Sequence, residues 1–148
     1  MKIAINNLDD LRKFAVDFAL RLRGGDVVGL IGDLGAGKTT FVQFLAAALG
    51  VQEEVKSPTF VLVREYIATE PTAFERNIRK LVHADAYRLE DEDELWAIGF
   101  ADLVDDAETV TVVEWADRLP ALKDRSTYHE LRFEFDIGEK RIIDSSER

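Results

Sequence analysis

Residues 32–39 read Gly-Asp-Leu-Gly-Ala-Gly-Lys-Thr, and residues of these types in this order could bind phosphate. The spacing matches the phosphate-binding loop pattern G-x-x-x-x-G-K-[ST]. Glycines let the backbone come close to an anion, so we expect the N–H groups of Gly35, Gly37, Lys38 and Thr39 to point at phosphate oxygens. The Lys38 ammonium should reach the outer phosphates, and the Thr39 hydroxyl should lie on a magnesium ion.

The residues around this loop predict the elements that must position it. An apolar stretch, Val27–Ile31, leads in as a buried strand, and helix-forming residues follow from Lys38 to Leu49 until Gly50 ends them. The competing interpretation is a glycine turn that binds nothing. The order of strand, glycine loop and helix favours the phosphate site.

Two further apolar strands end in carboxylates that could serve a phosphate site. Glu114 closes the run 109–114, and such a group beside the loop could hold magnesium or orient an attacking water. Asp85 closes the second strand, and His83 shares its face because side chains alternate along a strand. Arg88 could stabilise charge on a phosphoryl group. The alternatives are a solvent-exposed Glu114, and a surface ion pair with a half-buried histidine around Asp85.

The segment Ser57-Pro58-Thr59-Phe60 lies between the loop helix and the next strand. In nucleotide switches, a hydroxyl from such a region senses the terminal phosphate and magnesium, and Thr59 offers that hydroxyl. The alternative is an ordinary proline turn that enters a strand.

The remaining aromatic and acidic residues favour structural roles. The five acids at 90–94 are predicted to be a solvated helix start. Trp96 and Phe100 have the spacing of core residues, whereas Trp115 could lie in the core or near a nucleotide. The chain has no N-K-x-D motif, so the residues leave the choice of base open.

Periodicity over the whole chain predicts alternating helices and strands and then a hairpin. Asn7 should cap a first helix that runs through Leu22, and Asp91 with Glu94 should cap a short helix through Ile98. Further strands are predicted at 60–66, 79–85, 127–136 and 141–143, with a loop at 68–78 and a hairpin turn at 136–138. The pattern predicts an α/β fold in which helices flank a mixed sheet with a C-terminal β-hairpin.

Composition sets outer limits on this interpretation. The 148 residues are 47% hydrophobic, which suits one domain over residues 1–148. The sequence has no 18-residue apolar run, no signal-peptide pattern and no cysteine, so we expect a cytoplasmic protein without a membrane span. The net charge of -10 should repel nucleic acid. We therefore expect no direct DNA binding, and any role near RNA through a protein partner.

Taken together, the motifs resemble one family over most of the chain. Residues 32–41, Ser57 to Phe60, Tyr66, the H-x-D-x-Y-R run at 83–88 and Glu114-Trp115 occur here in the order typical of the bacterial TsaE family, formerly YjeE. The resemblance implies a small P-loop fold that binds ATP and magnesium and hydrolyses ATP slowly unless partners stimulate it. Those partners are the TsaB–TsaD pair, which transfers threonylcarbamoyl to adenosine 37 of tRNA.

The resemblance also assigns roles position by position. Thr39 and Glu114 correspond to magnesium ligands, Asp85 to an aspartate near the nucleotide and Thr59 to a switch-like loop. Together with Asp85, the implied nucleotide contacts come from the loop and the helix start: Leu34, Gly35, Ala36, Gly37, Lys38, Thr39 and Thr40. The implied catalytic residues are Lys38, Thr59, Asp85 and Glu114. One departure is that Ala84 and Ala86 flank Asp85 where bulkier apolar residues are usual.

Two rival functions stay open at this point. A small-molecule P-loop kinase would use the same loop but would add an arginine-rich lid, for which the chain offers only Arg76, Arg79, Lys80 and Arg88. A non-catalytic binding module would use ATP to order residues 57–60 and expose a docking face.

Overall fold

The computed structural model describes residues 1–33, 35–58, 62–138 and 140–146. In these ranges seven strands form one sheet: β1 Lys2–Ile5, β2 Val27–Ile31, β3 Val63–Ile67, β4 Lys80–Asp85, β5 Thr109–Glu114, β6 Tyr128–Phe135 and β7 Arg141–Ser146. The helices are α1 Leu8–Arg21, α2 Lys38–Ala48, α3 Pro71–Glu75, α4 Asp93–Ala97 and α5 Phe100–Asp105, with 3₁₀ turns at Ala116–Arg118 and Pro120–Asp124.

The sheet is mixed, and the carboxyl ends of its parallel central strands bring three candidate segments together. The strand order is β1-β7-β6-β2-β5-β4-β3, in which β6, β2, β5 and β4 are parallel and the outer pairs are antiparallel. Leu30 of β2 and Asp85 of β4 both pair with Glu114 of β5. The glycine loop and both carboxylates therefore follow neighbouring strand ends. The predicted mixed sheet with a C-terminal hairpin is confirmed.

Helices α1 and α2 cover one face of the sheet with a cluster of phenylalanines. Phe41 of α2 lies 5.8 Å from Phe14 and 5.9 Å from Phe18 of α1, between ring centroids. The Phe133 ring of β6 lies 5.7 Å from Phe41 on its other side. Edge-to-face and tilted pairs at these distances add to the hydrophobic gain of burial. This cluster fixes the helix that carries Lys38 and Thr39 against the sheet.

The opposite face is covered by shorter elements. Leu95 of α4, Phe100 and Val104 of α5 and Leu119 and Leu122 of the 3₁₀ turns are all buried there. Their side chains pack on the strand residues that point to this face: Val27, Val82, Val113 and Tyr128. The sheet is thus the middle layer of three, as strands with two apolar faces require.

The predicted first helix is confirmed, with one error in its apolar face. The Asn7 side chain accepts a hydrogen bond from Asp10 N at 2.8 Å, so Asn7 caps α1. The helix ends at Arg21, one residue before the predicted Leu22, which is its C-cap. Leu8 was expected on the apolar face, but at the first position of the helix it is 66% exposed.

Three other local predictions differ from the structure, and two elements were not predicted at all. Residues 68–78 contain α3, because Pro71 at the first helical position fixes a helical φ. The predicted capping pair at α4 is wrong: Asp91 instead accepts from Asp93 N at 2.9 Å, and the helix starts only at Asp93. Helix α5 and strand β1 were not foreseen. The strand predicted at 60–66 is observed as β3, Val63–Ile67, and residues 60 and 61 lie outside the described ranges.

Helices long and apolar enough to cross a membrane are not found among the described residues.

Truncation of Phe41 should show how far the phenylalanine cluster stabilises the fold. Phe41→Ala removes a fully buried ring and should lower the free energy of unfolding by about 3–5 kcal/mol. Phe135→Ala is the matched control, since that ring is 50% exposed, and it should cost about 1 kcal/mol or less. Urea denaturation monitored by circular dichroism measures the free energy of unfolding of both variants. Equal losses of stability would contradict the assignment of Phe41 to the centre of the core.

Candidate functional site

The glycine loop has the backbone conformation that its sequence requires. Gly35 and Gly37 have φ angles of 78° and 102°, which side chains rarely tolerate. A Cβ built on Gly35 would meet no atom within 4 Å, so the loop leaves open space beside its backbone. The glycine loop between β2 and α2 therefore leaves room for a ligand against the backbone at Gly35.

The start of α2 offers backbone donors. Phe41 N donates to Gly37 O at 2.9 Å, and α2 begins at Lys38, so Lys38, Thr39 and Thr40 form the first turn of the helix. The N–H groups of a first helical turn lack acceptors within the helix itself. These groups lie at the positive end of the helix dipole, which favours an anion. The start of α2 could therefore bind an anionic group.

A cavity of about 400 Å³ opens over this helix start. It collects most of the residues that the sequence singled out, together with neighbours: Gly35, Gly37, Lys38, Thr39, Thr40, Ser57, Asp85, Tyr87, Arg88, Glu114 and Trp115. Ala36 is buried and lines an adjoining cavity instead. Leu34 and Thr59, which were also predicted to be site residues, lie outside the described ranges.

Lys38 is a buried cation in this site, with only 5% of its surface exposed. Its Nζ donates to Gly32 O and lies 3.6 Å from the centroid of the Trp115 ring. Burial lowers the pKa of Lys38, while the nearby carboxylates, Glu114 first and Asp85 second, oppose that shift. The loop thus holds a desolvated ammonium group whose charge is compensated by acids around the cavity.

Glu114 is the most constrained side chain of the site. Thr39 Oγ1 donates to the carboxylate, with distances of 3.0 Å and 3.1 Å to its two oxygens. His83 Nε2 lies 2.6 Å from Glu114 Oε2, and the His83 ring is completely buried. The alternatives of a solvent-exposed Glu114 and a half-buried histidine are therefore wrong, because the parallel pairing of β4 with β5 places both groups under α2.

Asp85 lies beside Glu114 in the strand register, where β4 ends. Its Oδ1 accepts from Tyr87 N at 2.8 Å, which turns the chain away after β4. Ala86 N donates to Glu114 O at 3.0 Å and ties the two strand ends together. Asp85 is buried and lines the cavity, so the structure brings together both predicted carboxylates.

Trp115 forms the wall of the cavity opposite the helix start. Its φ of 58° is unusual for a side chain of this size and turns the ring back over Lys38. Tyr87 lies 4.9 Å from the Trp115 ring, and the Arg118 guanidinium lies 6.0 Å from it. The sequence left two positions open for Trp115. In the structure the side chain lines the cavity and also packs, partly buried, against the core on the opposite face of the sheet. Arg118 was not predicted from the sequence.

A second cavity of about 450 Å³ adjoins the loop on its other side. Gly35, Gly37 and Thr40 line both cavities. The remaining wall of the second cavity combines apolar and polar side chains from the segment before α1, from α1 itself and from the C-terminal hairpin, among them Asn6, Leu8, Leu11, Phe133, Arg141 and Ile143. A ligand with an anionic end and a larger body could therefore extend across the loop.

The oxygen atoms around Lys38 fit a hard divalent cation. Mg²⁺ is usually held by one or two carboxylates together with phosphate oxygens. The site provides the Thr39 hydroxyl and the Glu114 carboxylate in direct contact, with Asp85 at the next strand end. The described residues contain no group of three or more His, Asp or Glu side chains that could hold a metal ion.

A strand, a glycine loop and a helix whose lysine faces carboxylates on neighbouring parallel strands define a P-loop nucleoside-triphosphatase-like fold. Within this class the chain belongs to the TsaE family. The family model described as "Threonylcarbamoyl adenosine biosynthesis protein TsaE" matches residues 5–143. The resemblance that the motifs indicated is thereby confirmed.

Individual relatives agree with this assignment. The protein named tRNA threonylcarbamoyladenosine biosynthesis protein TsaE from Aquifex aeolicus is 40% identical over 119 residues, which cover 79% of this chain and 77% of that protein. The protein of the same name from Bacillus subtilis is 38% identical over 110 residues, 74% of this chain but only 63% of that protein's length. The crystal structure of Bacillus subtilis YdiB superposes with a TM-score of 0.70 at 27% identity, covering 97% of this chain and 82% of that one.

Neutralising Glu114 should lower the pKa of Lys38 further. Glu114 exerts the largest of the charge effects that oppose desolvation of the ammonium group, so Glu114→Gln removes the strongest of them. Asp33→Asn is the matched control, because Asp33 acts on Lys38 most weakly of the four acids. NMR titration of the Lys38 side chain measures both variants. A larger decrease in Asp33→Asn than in Glu114→Gln would contradict this order of charges.

Proposed function

We propose that this protein is the ATP-binding and ATP-hydrolysing subunit of the machinery that makes N6-threonylcarbamoyladenosine at position 37 of tRNA, and that it acts on the TsaB–TsaD pair. The observation that carries the proposal is the contact between Thr39 at the start of α2 and Glu114 at the end of β5, beside the buried Lys38. A hydroxyl, a carboxylate and an ammonium group at a helix start match what a magnesium–triphosphate ligand requires.

In this proposal the residues of the loop bind the phosphates. The amides of Gly35, Gly37, Lys38, Thr39 and Thr40 supply neutral donors, and Lys38 supplies a positive charge that burial keeps unscreened by water. Thr39 and Glu114 hold Mg²⁺, which neutralises charge on the β- and γ-phosphates when it is bound. The carboxylate at Asp85 orients water or supports the metal from the neighbouring strand end.

Two more regions complete the proposed ATP site. The second cavity, which shares Gly35, Gly37 and Thr40 with the first, accommodates the nucleoside. Thr59 is the proposed switch-like contact to the terminal phosphate, and Arg88, which lines the first cavity, is positioned to stabilise phosphoryl charge.

The proposed partnership rests on charge and on the names of the relatives. Both relatives described above are named for tRNA threonylcarbamoyladenosine biosynthesis. A net charge of -10 opposes direct binding of tRNA, which carries one negative charge per nucleotide. The chain should therefore reach tRNA only through proteins that bind it, and TsaB–TsaD is the pair proposed for that role.

A small-molecule kinase is less well supported. Of the four basic residues that could form a lid, only Arg88 lines the cavity. Arg76 donates to Leu22 O and Ala19 O at the end of α1, and Arg79 and Lys80 pair with Glu108 and Glu65. These three residues make their contacts near the amino ends of the parallel strands, away from the cavity at the carboxyl ends.

Removal of the loop lysine should abolish nucleotide binding or hydrolysis. Lys38→Ala deletes the buried cation, and we expect hydrolysis to fall by roughly 100-fold or more. Lys80→Ala is the control, because Lys80 lies at the other end of the parallel strands and pairs with Glu65. Calorimetry with ADP and magnesium, combined with phosphate release from ATP, measures both. Unchanged binding and turnover in Lys38→Ala would refute the assignment of the site.

The partnership can be tested by measuring ATP hydrolysis first alone, then with TsaB–TsaD, then with tRNA added. We expect slow turnover alone and stimulation of about 10-fold or more only with the assembled set, because a partner can complete a site by ordering groups around the phosphates. Phosphate transfer to a metabolite would favour a kinase. Tight ATP binding without hydrolysis under every condition would favour a nucleotide-gated binding module.

A further inference from the structure

A completely buried histidine lies directly behind the candidate metal ligand. His83 of β4 pairs in register with Val112 of β5, two residues before the pairing of Asp85 with Glu114. His83 and Asp85 therefore share the sheet face that α2 covers, and the His83 ring reaches forward along that face to Glu114 Oε2 at 2.6 Å. None of the assignments made for the phosphate site uses this histidine.

The hydrogen bond fixes one oxygen of the carboxylate. With Glu114 as a carboxylate, which only accepts, the histidine tautomer that makes this contact carries its proton on Nε2. The other ring nitrogen, Nδ1, is buried and has no hydrogen-bond partner among the described residues. The ring is therefore held to Glu114 through a single polar contact, and its remaining surface is packed in the core.

The two donors to Glu114 come from different directions. His83 Nε2 bonds Oε2 from the sheet below, while Thr39 Oγ1 bonds both oxygens from the start of α2. The hydrogen bond of His83 is to Oε2, so Oε1 keeps more of its acceptor capacity for another donor or a cation. A carboxylate with only 4% of its side chain exposed needs such donors to replace its lost hydration and to keep one orientation.

We propose that His83 is a positioning residue that orients the Glu114 carboxylate for a magnesium–nucleotide complex. This inference rests on the proposed function. In this proposal His83 contacts neither the nucleotide nor the metal, and it acts only by orienting Glu114. Groups that hydrogen-bond a metal ligand in this way commonly change metal affinity by 10–100-fold when they are removed.

The test compares two amides that differ only in reach. His83→Gln can place its amide nitrogen near the position of Nε2, whereas the shorter His83→Asn reaches only about as far as Nδ1. In the ADP-bound protein, we expect His83→Asn to raise the magnesium concentration for half-saturation by roughly 10-fold and His83→Gln by less than about 3-fold. Magnesium titration followed by tryptophan fluorescence measures this, since Trp115 covers Lys38 in the cavity.

Two controls separate positioning from packing and from the proposed function itself. Val112→Ala truncates the buried residue that pairs with His83 and should destabilise the fold without changing magnesium affinity. ADP binding in EDTA should stay within about 2-fold of wild type in all three variants, because the loop is untouched. Equal magnesium affinities for His83→Asn and His83→Gln, or an equal loss in Val112→Ala, would overturn the inference. Absence of ADP binding by the wild-type protein would refute the proposed function instead.

Discussion

The site depends on the hydrogen bonds that hold the buried carboxylate of Glu114. This carboxylate accepts hydrogen bonds from Thr39 at the start of α2 and from His83 of β4, so it joins three elements that are distant in the sequence. A buried carboxylate is costly unless donors surround it. The fold therefore cannot move α2 or β4 away from β5 without leaving this group unsatisfied, and the geometry of the cavity is fixed as a result.

The same constraint explains how an acidic protein can keep a buried cation. The net charge is -10, and the field of the whole molecule repels a polyphosphate. Lys38 lies among Glu114, Asp85 and Asp117, whose charges offset part of the desolvation of its ammonium group. In the proposed ATP site, local donors at the helix start would have to overcome this general repulsion. The acids around Lys38 stabilise its charge, and the anion would be bound by the preorganised amides together with that lysine.

The two kinds of strand pairing have different roles. Parallel pairing of β6, β2, β5 and β4 places the glycine loop, Asp85 and Glu114 at one edge, as parallel strands do with their carboxyl ends. Antiparallel pairing of β7 with β6 and β1 extends the sheet beside α1, where the second cavity lies. The hairpin thus lines the second cavity, which is slightly larger than the first and has fewer charged residues in its wall.

The sequence by itself determined the local features. Glycine spacing, the Asn7 cap and strand periodicity identified the loop, α1, α2 and the strands that end at Asp85 and Glu114, because these signals depend on neighbours along the chain. Weak segments were misjudged, such as residues 68–78 and the start of α4, where short helices depend on packing more than on propensity. Only the tertiary structure decided that His83 bonds Glu114 and that Trp115 covers Lys38. Strand order and register set those contacts, and neither can be deduced from residues that are 31 and 77 positions apart.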